Sequence, residues 1–173
     1  MSQIIDRVIS IALAEVGYLE KASNSQLDSK TANAGYNNWT KYARDLDNLG
    51  NYYNGKKNGY AWCDVFCDWV FYKAVGNGDG RALNYQPLKS TGAGCYYSYQ
   101  FYKAAGRVGK TPKLGAQIFF GPSISEMQHT GLVYDFDDKY VYTVEGNTSG
   151  ASGVVANGGG VCQKKYSRTY GKI

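Results

Sequence analysis

The amino-acid sequence predicts a single α+β domain, with helices in the first part of the chain and an antiparallel sheet in the second. Three observations carry this reading. Apolar residues recur at helical spacing as far as about Ala105. Beyond Lys110 the pattern changes to short strand-like runs separated by glycine-rich turns. A chain of 173 residues is large enough for one real core. Helices followed by strands is the order expected of an α+β domain.

The first helix is expected over Ser2 to Val16, with Ile4, Ile5, Val8, Ile9, Ala12, Leu13 and Val16 as its apolar stripe and Gly17 as its end. Glu20 to Asn37 is polar, with several Ser and Asn and one Gly, which suits a long ordered loop or short helical turns. Asn38 to Leu49 reads as a second helix, with Trp39, Tyr42, Ala43 and Leu46 facing inward. Gly50 to Gly59 is a loop. The run Tyr60 to Tyr72 then places Cys63, Phe66, Cys67, Val70, Phe71 and Ala74 along one helical face, and Gly76 is a natural stop. This predicts a buried helix with Cys63 in its first turn. Gly76 to Gly80 reads as a turn, and Cys95 to Ala105 as a further helix capped by Gly106. Ile118–Phe120, Gly131–Phe136, Tyr140–Glu145 and Gly160–Tyr166 are the expected strands, packed on the Cys63 helix. The domain therefore divides into a helical part, 1–59, and a core, 60–173. The sequence ends soon after the last strand, at Lys172-Ile173, as a catalytic fragment or a complete minimal enzyme would.

Composition narrows the function classes. The net charge of +5 is diffuse, and Lys56-Lys57 and Lys164-Lys165 are the only adjacent basic pairs, so no nucleic-acid arm is expected. A diffuse positive field suits an anionic polymer such as a bacterial wall. The 17 tyrosines fit a surface that meets sugars, peptides or polymers, and equally fit strands and half-buried faces. The amino terminus lacks the basic start and unbroken apolar run of a signal peptide, and no run is long enough to span a membrane. Cytosolic synthesis, no membrane insertion and a monomer are the expectations.

Cytosolic synthesis also argues against a disulfide framework among Cys63, Cys67, Cys95 and Cys162. C-x3-C inside a helix is a poor zinc knuckle, and no second pair completes it. Cys67, Cys95 and Cys162 read as small core residues. Asp45 to Gly50 starts like a calcium loop, but Leu49 falls on its fifth position and Lys56 on its closing position, so a solvated helix end is the better reading. No metal and no cofactor are expected.

The chemistry rests on Cys63 and on His129, the single histidine. A thiol at a helix N-terminus faces free N–H groups and the positive end of the dipole, which favours thiolate. Any cysteine chemistry that needs imidazole must use His129, which opens a strand. A base needs an orienting partner. If Phe136 pairs with Tyr140 around a loop at 137–139, Gly131 lies opposite Glu145 and His129 opposite Asn147, all on one face. A two-residue loop would place Glu145 on the other face. Cys63 is thus the candidate nucleophile, His129 the base, and Glu145 or Asn147 the orienting group, with the Cys63 N–H as oxyanion donor. Tyr60 and Trp62, beside the nucleophile, are read as substrate contacts. Asp64 opposes thiolate formation, with a net effect set by where its side chain points.

Trp62-Cys63-Asp64-Val65-Phe66 and His129-Thr130-Gly131-Leu132-Val133 resemble the two signature segments of the CHAP family, the cysteine- and histidine-dependent amidohydrolases/peptidases. Lys113 to Phe120 resembles the strand before the histidine, and Val144-Glu145-Gly146-Asn147-Thr148 the third segment. The resemblance implies a papain-like fold, cleavage of amide bonds in bacterial peptidoglycan, and the set Cys63, His129, Glu145 and Asn147. Ala14 to Leu46 is similar in style to phage and prophage endolysins. Ala116 departs from the family, which commonly has aspartate there. Two other functions stay open, an intracellular thiol hydrolase of a small amide and a non-catalytic wall-binding module.

Overall fold

The computed structural model describes residues 2–168; Lys172 and Ile173 lie outside the described residues. In chain order the elements are α1 (Gln3–Ala14), α2 (Lys41–Asn48), α3 (Cys63–Val75), α4 (Asn77–Leu83), α5 (Cys95–Ala104), β1 (Gln117–Phe120), β2 (His129–Phe136), β3 (Tyr140–Thr148) and β4 (Gly160–Ser167). The four strands form one antiparallel sheet in the order β1-β2-β3-β4. The fold is α+β, as expected, and is consistent with a papain-like domain.

Helix α3 is the centre. It packs on β2 and β3 on one side and on α1, α2 and α4 on others. Val65, Phe66, Cys67, Val70 and Ala74 have no exposed surface, and Asp64 and Asp68 are equally buried. From Cys63 to Phe71 every residue of the helix is buried, its polar positions included, and only the last turn reaches the surface at Lys73. Its buried carboxylates are tolerated because each is hydrogen-bonded. Asp68 accepts from Tyr53 Oη at 2.6 Å and Asn84 Nδ2 at 2.5 Å. Close packing against the sheet needs Gly146, where a Cβ would lie 2.6 Å from Phe66 Cβ.

The turn expected at Gly76 to Gly80 is corrected to α4, which starts one residue after Gly76. Gly80 serves helix packing here. A Cβ at that position would stand 3.0 Å from the Tyr72 backbone, so its absence lets α4 lie against α3. The helix expected from Asn38 begins at Lys41, because Thr40 takes the cap position and its Oγ1 accepts from Ala43 N–H at 3.2 Å.

The helical part expected over 1–59 consists of α1 and α2 joined by a long irregular segment. That segment is tied to the sheet end: Glu20 N–H donates to Gly159 O at 2.8 Å, and Leu19 bridges to Gly160. Lys21 is fully buried, with its ammonium donating to Lys30 O at 3.1 Å and lying 4.5 Å from the Tyr18 ring centre. One continuous core runs from Val8, Tyr18 and Tyr42 through Trp62 and Phe66 to Val144 and Val161. No helix among the described residues is long and apolar enough to cross a membrane.

Candidate active site

Cys63 is the first residue of α3 and is 5% exposed. Cys95 is the first residue of α5, and the two sulfurs lie 3.3 Å apart. Two helix starts therefore converge on one pair of thiols. A thiolate at Cys63 accepts from the Cys95 S–H, and this is the main reason its pKa is held down to about 5. Burial works against that. The His129 imidazole, by hydrogen bonding and charge, and the Asp64 N–H add to it. Cys95 moves the other way, well above the ordinary thiol range, because its S–H is held in the hydrogen bond to Cys63, with burial and the charge of the first thiolate adding to this.

His129 opens β2 and has no exposed surface. Its Nε2 lies 2.8 Å from Glu145 Oε2. Glu145 is fully buried and also accepts from Tyr166 Oη at 3.1 Å and Thr143 Oγ1 at 2.5 Å. The carboxylate thus holds the proton on Nε2 and leaves Nδ1, which is buried without a hydrogen-bond partner, free to serve the thiol. Burial pushes the imidazole pKa down, but hydrogen bonds and charge from Cys63 and Glu145 outweigh it and raise the pKa to about 9. The favoured state between those two values is a thiolate–imidazolium pair.

Glu145 reaches the His129 face by a route that differs from the expected one. Asp137 N–H donates to Tyr140 O at 3.0 Å, so the hairpin loop has two residues, Asp138 and Lys139. Phe136 accordingly pairs with Val141 rather than Tyr140. A bulge between Val133 and Asp135 then inserts one residue into β2, and Leu132 pairs with Val144. The two shifts cancel. Gly131 comes beside Glu145, where a Cβ would lie 2.4 Å from Glu145 Cγ.

The other predicted residues are placed differently. Asn147 is buried, but it sits at a second bulge with a left-handed φ of 54°, and its Oδ1 accepts from Gly159 N–H at 3.4 Å. That bulge breaks the alternation that was to carry it beside His129, and no hydrogen bond joins the two among the described residues. Trp62, expected to touch substrate, is fully buried; its Nε1 donates to Glu20 Oε2 at 2.8 Å and its ring stacks on Tyr42 at 5.5 Å. It is corrected to a core residue. Tyr60 is 67% exposed and free to meet a ligand.

Asp64 points away from the sulfur. It accepts from Ser98 Oγ at 2.7 Å and Gln117 Nε2 at 2.8 Å, which ties α3 to α5 and β1. Burial raises its pKa to about 7, so its negative charge beside the thiolate is partly neutralised. Asp45 and Asp47 are engaged as protein acceptors, from Trp69 Nε1 at 2.9 Å and from Lys57 N–H at 2.8 Å. An apolar cleft of about 390 Å³ lined by Val8, Tyr102, Val108 and Pro112 includes neither Cys63 nor His129.

Sequence reasoning missed Cys95, Tyr166 and Thr143 as partners of the site. For Cys95 a signal existed, since it opens a predicted helix as Cys63 does. Thr143 also carried a signal, since it lies two residues before Glu145 on the same strand face; Tyr166 belongs to β4, whose register the sequence left undetermined.

A family model described as the CHAP domain matches residues 55–147, more than half of the chain. No curated protein and no solved structure matches the chain.

Proposed function

The chain belongs to the CHAP family, a membership that supports cysteine- and histidine-dependent amidohydrolase or peptidase activity, and from that premise we propose that it hydrolyses an amide bond of bacterial peptidoglycan, as an endopeptidase or an N-acetylmuramoyl-L-alanine amidase acting in phage-induced lysis. The observation that carries the reading is one buried site in which His129 Nε2 lies 2.8 Å from Glu145 Oε2 and the thiol of Cys63 and the imidazole of His129 shift each other's pKa. The net charge of +5 and the exposed rings of Tyr36 and Tyr60 suit an anionic, sugar-containing polymer.

In this reading the Cys63 thiolate attacks the carbonyl carbon. The Cys63 N–H, in the helix turn whose donors have no intrahelical acceptor, faces the developing oxyanion. The imidazolium gives its Nδ1 proton to the leaving amine, which breaks the C–N bond and leaves a thioester on Cys63. Neutral imidazole then takes a proton from water, and the hydroxide releases the acid. Glu145 keeps the ring in one orientation and favours the cation throughout.

Purified sacculi test the proposal. The expected result is a fall in turbidity with release of new amino groups, reduced at least ~10²-fold in Cys63→Ala and in His129→Ala. Mass spectrometry of the fragments identifies the bond. Intact sacculi after prolonged digestion, with turnover of a soluble amide, would favour the small-amide hydrolase. Sedimentation with walls but no digestion by the unsubstituted protein would favour a binding module.

A further inference from the structure

We propose that Cys63 and Cys95 form a reversible disulfide on exposure to peroxide, so that oxidation of the nucleophile is captured by its neighbour. The sulfurs are already 3.3 Å apart. A disulfide needs about 2.0 Å, so roughly 1.3 Å remains, within reach of side-chain rotation or a small shift of α5. The two residues are 32 apart in sequence and on different helices, so the bond would lock the start of α3 to the start of α5. Both residues keep a little exposure, 5% and 6%. All four cysteines are free.

The chemistry balances in two steps. The Cys63 thiolate attacks one peroxide oxygen; the O–O bond breaks, and the departing hydroxide takes the His129 imidazolium proton and leaves as water. Cys63 is now a neutral sulfenic acid. The negative charge that kept Cys95 protonated has gone, so its thiol becomes easier to ionise. Cys95 sulfur then attacks the Cys63 sulfur. The S–OH bond breaks, and hydroxide leaves with the Cys95 proton as a second water. Two thiols lose two electrons, and one peroxide gains them. A dithiol reductant reverses the outcome by exchange. Without Cys95 the sulfenic acid would go on to sulfinic acid, which such reductants do not recover.

The activity arm of the test rests on the hydrolase reading; the mapping arm does not. The full chain is treated with a small excess of hydrogen peroxide, blocked with an alkylating agent and digested without reduction. Cys63 and Cys67 share the tryptic peptide 58–73, and Cys95 lies in 90–103. The expected result is a linked pair of these peptides, two hydrogens lighter than their sum, with fragmentation placing the link at Cys63. Dithiothreitol should restore most of the lytic activity. In Cys95→Ser, folded by circular dichroism, peroxide should instead leave Cys63 two oxygens heavier and the loss permanent. Sulfinic acid at Cys63 of the unsubstituted protein with Cys95 still free would overturn the proposal. So would a link through Cys67 or Cys162, or equal recovery in Cys95→Ser. If that variant does not fold, the peptide map of the unsubstituted protein decides alone.

Discussion

Replacing Glu145 by glutamine removes one charge from a fully buried acceptor while keeping its shape. The carboxylate meets three donors: His129 Nε2, Tyr166 Oη and Thr143 Oγ1. A glutamine oxygen can take the place of Oε2, and its amide can face Thr143, whose hydroxyl turns to accept. The ring therefore keeps its orientation and loses its charged partner. A hydrogen bond to a charged group contributes about 1.5–3 kcal/mol. At about 1.4 kcal/mol per decade, kcat/KM should fall by about 10- to 150-fold. The loss should be smaller than that of Cys63→Ala, which removes the nucleophile. The sign of the pH effect follows from the same contact. The imidazolium is the acid, and Glu145 helps hold its pKa up at about 9. Without the carboxylate, the high-pH limb of kcat/KM should move down towards the ordinary histidine range, while the low-pH limb near 5, set by Cys95, His129 and the Asp64 N–H, should stay in place. Folding stability should fall, because removing one partner of a buried charged pair leaves the imidazolium uncompensated. The assay is amino-group release from sacculi across pH, beside thermal unfolding. An unchanged upper limb with unchanged rate would refute the positioning role of Glu145.

Three further outcomes are expected. Gly131→Ala should lower activity by at least ~10-fold with correct folding, because its Cβ would stand 2.4 Å from Glu145 Cγ and displace the carboxylate; wild-type rates would show that the strand absorbs the methyl elsewhere. Trp62→Phe should cost about 1–3 kcal/mol of stability by leaving Glu20 without its indole donor, and KM for a soluble wall fragment should stay the same; a raised KM at unchanged stability would restore its reading as a substrate contact. Asp64 has a pKa raised from 3.8 to about 7 by burial, so its contribution to stability is complete below the lower value and declines as pH rises through the higher. Asp64→Asn should flatten the urea-unfolding stability of the protein across that window, and an unchanged slope would show that Asp64 ionises freely in the fold.

Much of the fold was legible because periodicity and glycine caps are local signals. The Cys63 helix, its stop at Gly76 and the four strands all follow from them. The pairing of His129 with Glu145 was legible in a different sense. It was argued from a three-residue loop, whereas the hairpin has two loop residues and a bulge at Tyr134 that restores the alternation. Nothing in Val133-Tyr134-Asp135 marks a bulge, since its cause is packing of the whole strand pair. Asn147 lies within a second bulge, between Glu145 and Thr148. Helix α4 was hidden because glycine looks alike in a turn and in a close helix contact. The partners of Asp64 and Asp68 come from distant segments, so composition could not show that these carboxylates are buried. Trp62 beside a nucleophile looked available to substrate, and only the position of Glu20, 42 residues earlier, shows that it faces inward.

The most direct test of the Cys63–His129 pairing is the pH dependence of Cys63 alkylation by iodoacetamide, followed on peptide 58–73 in the unsubstituted protein and in folded His129→Ala. The pairing predicts half-maximal reactivity at about pH 5 in the former and a midpoint displaced upward, towards ordinary thiols, in the latter. Superimposable profiles from the two proteins would contradict it.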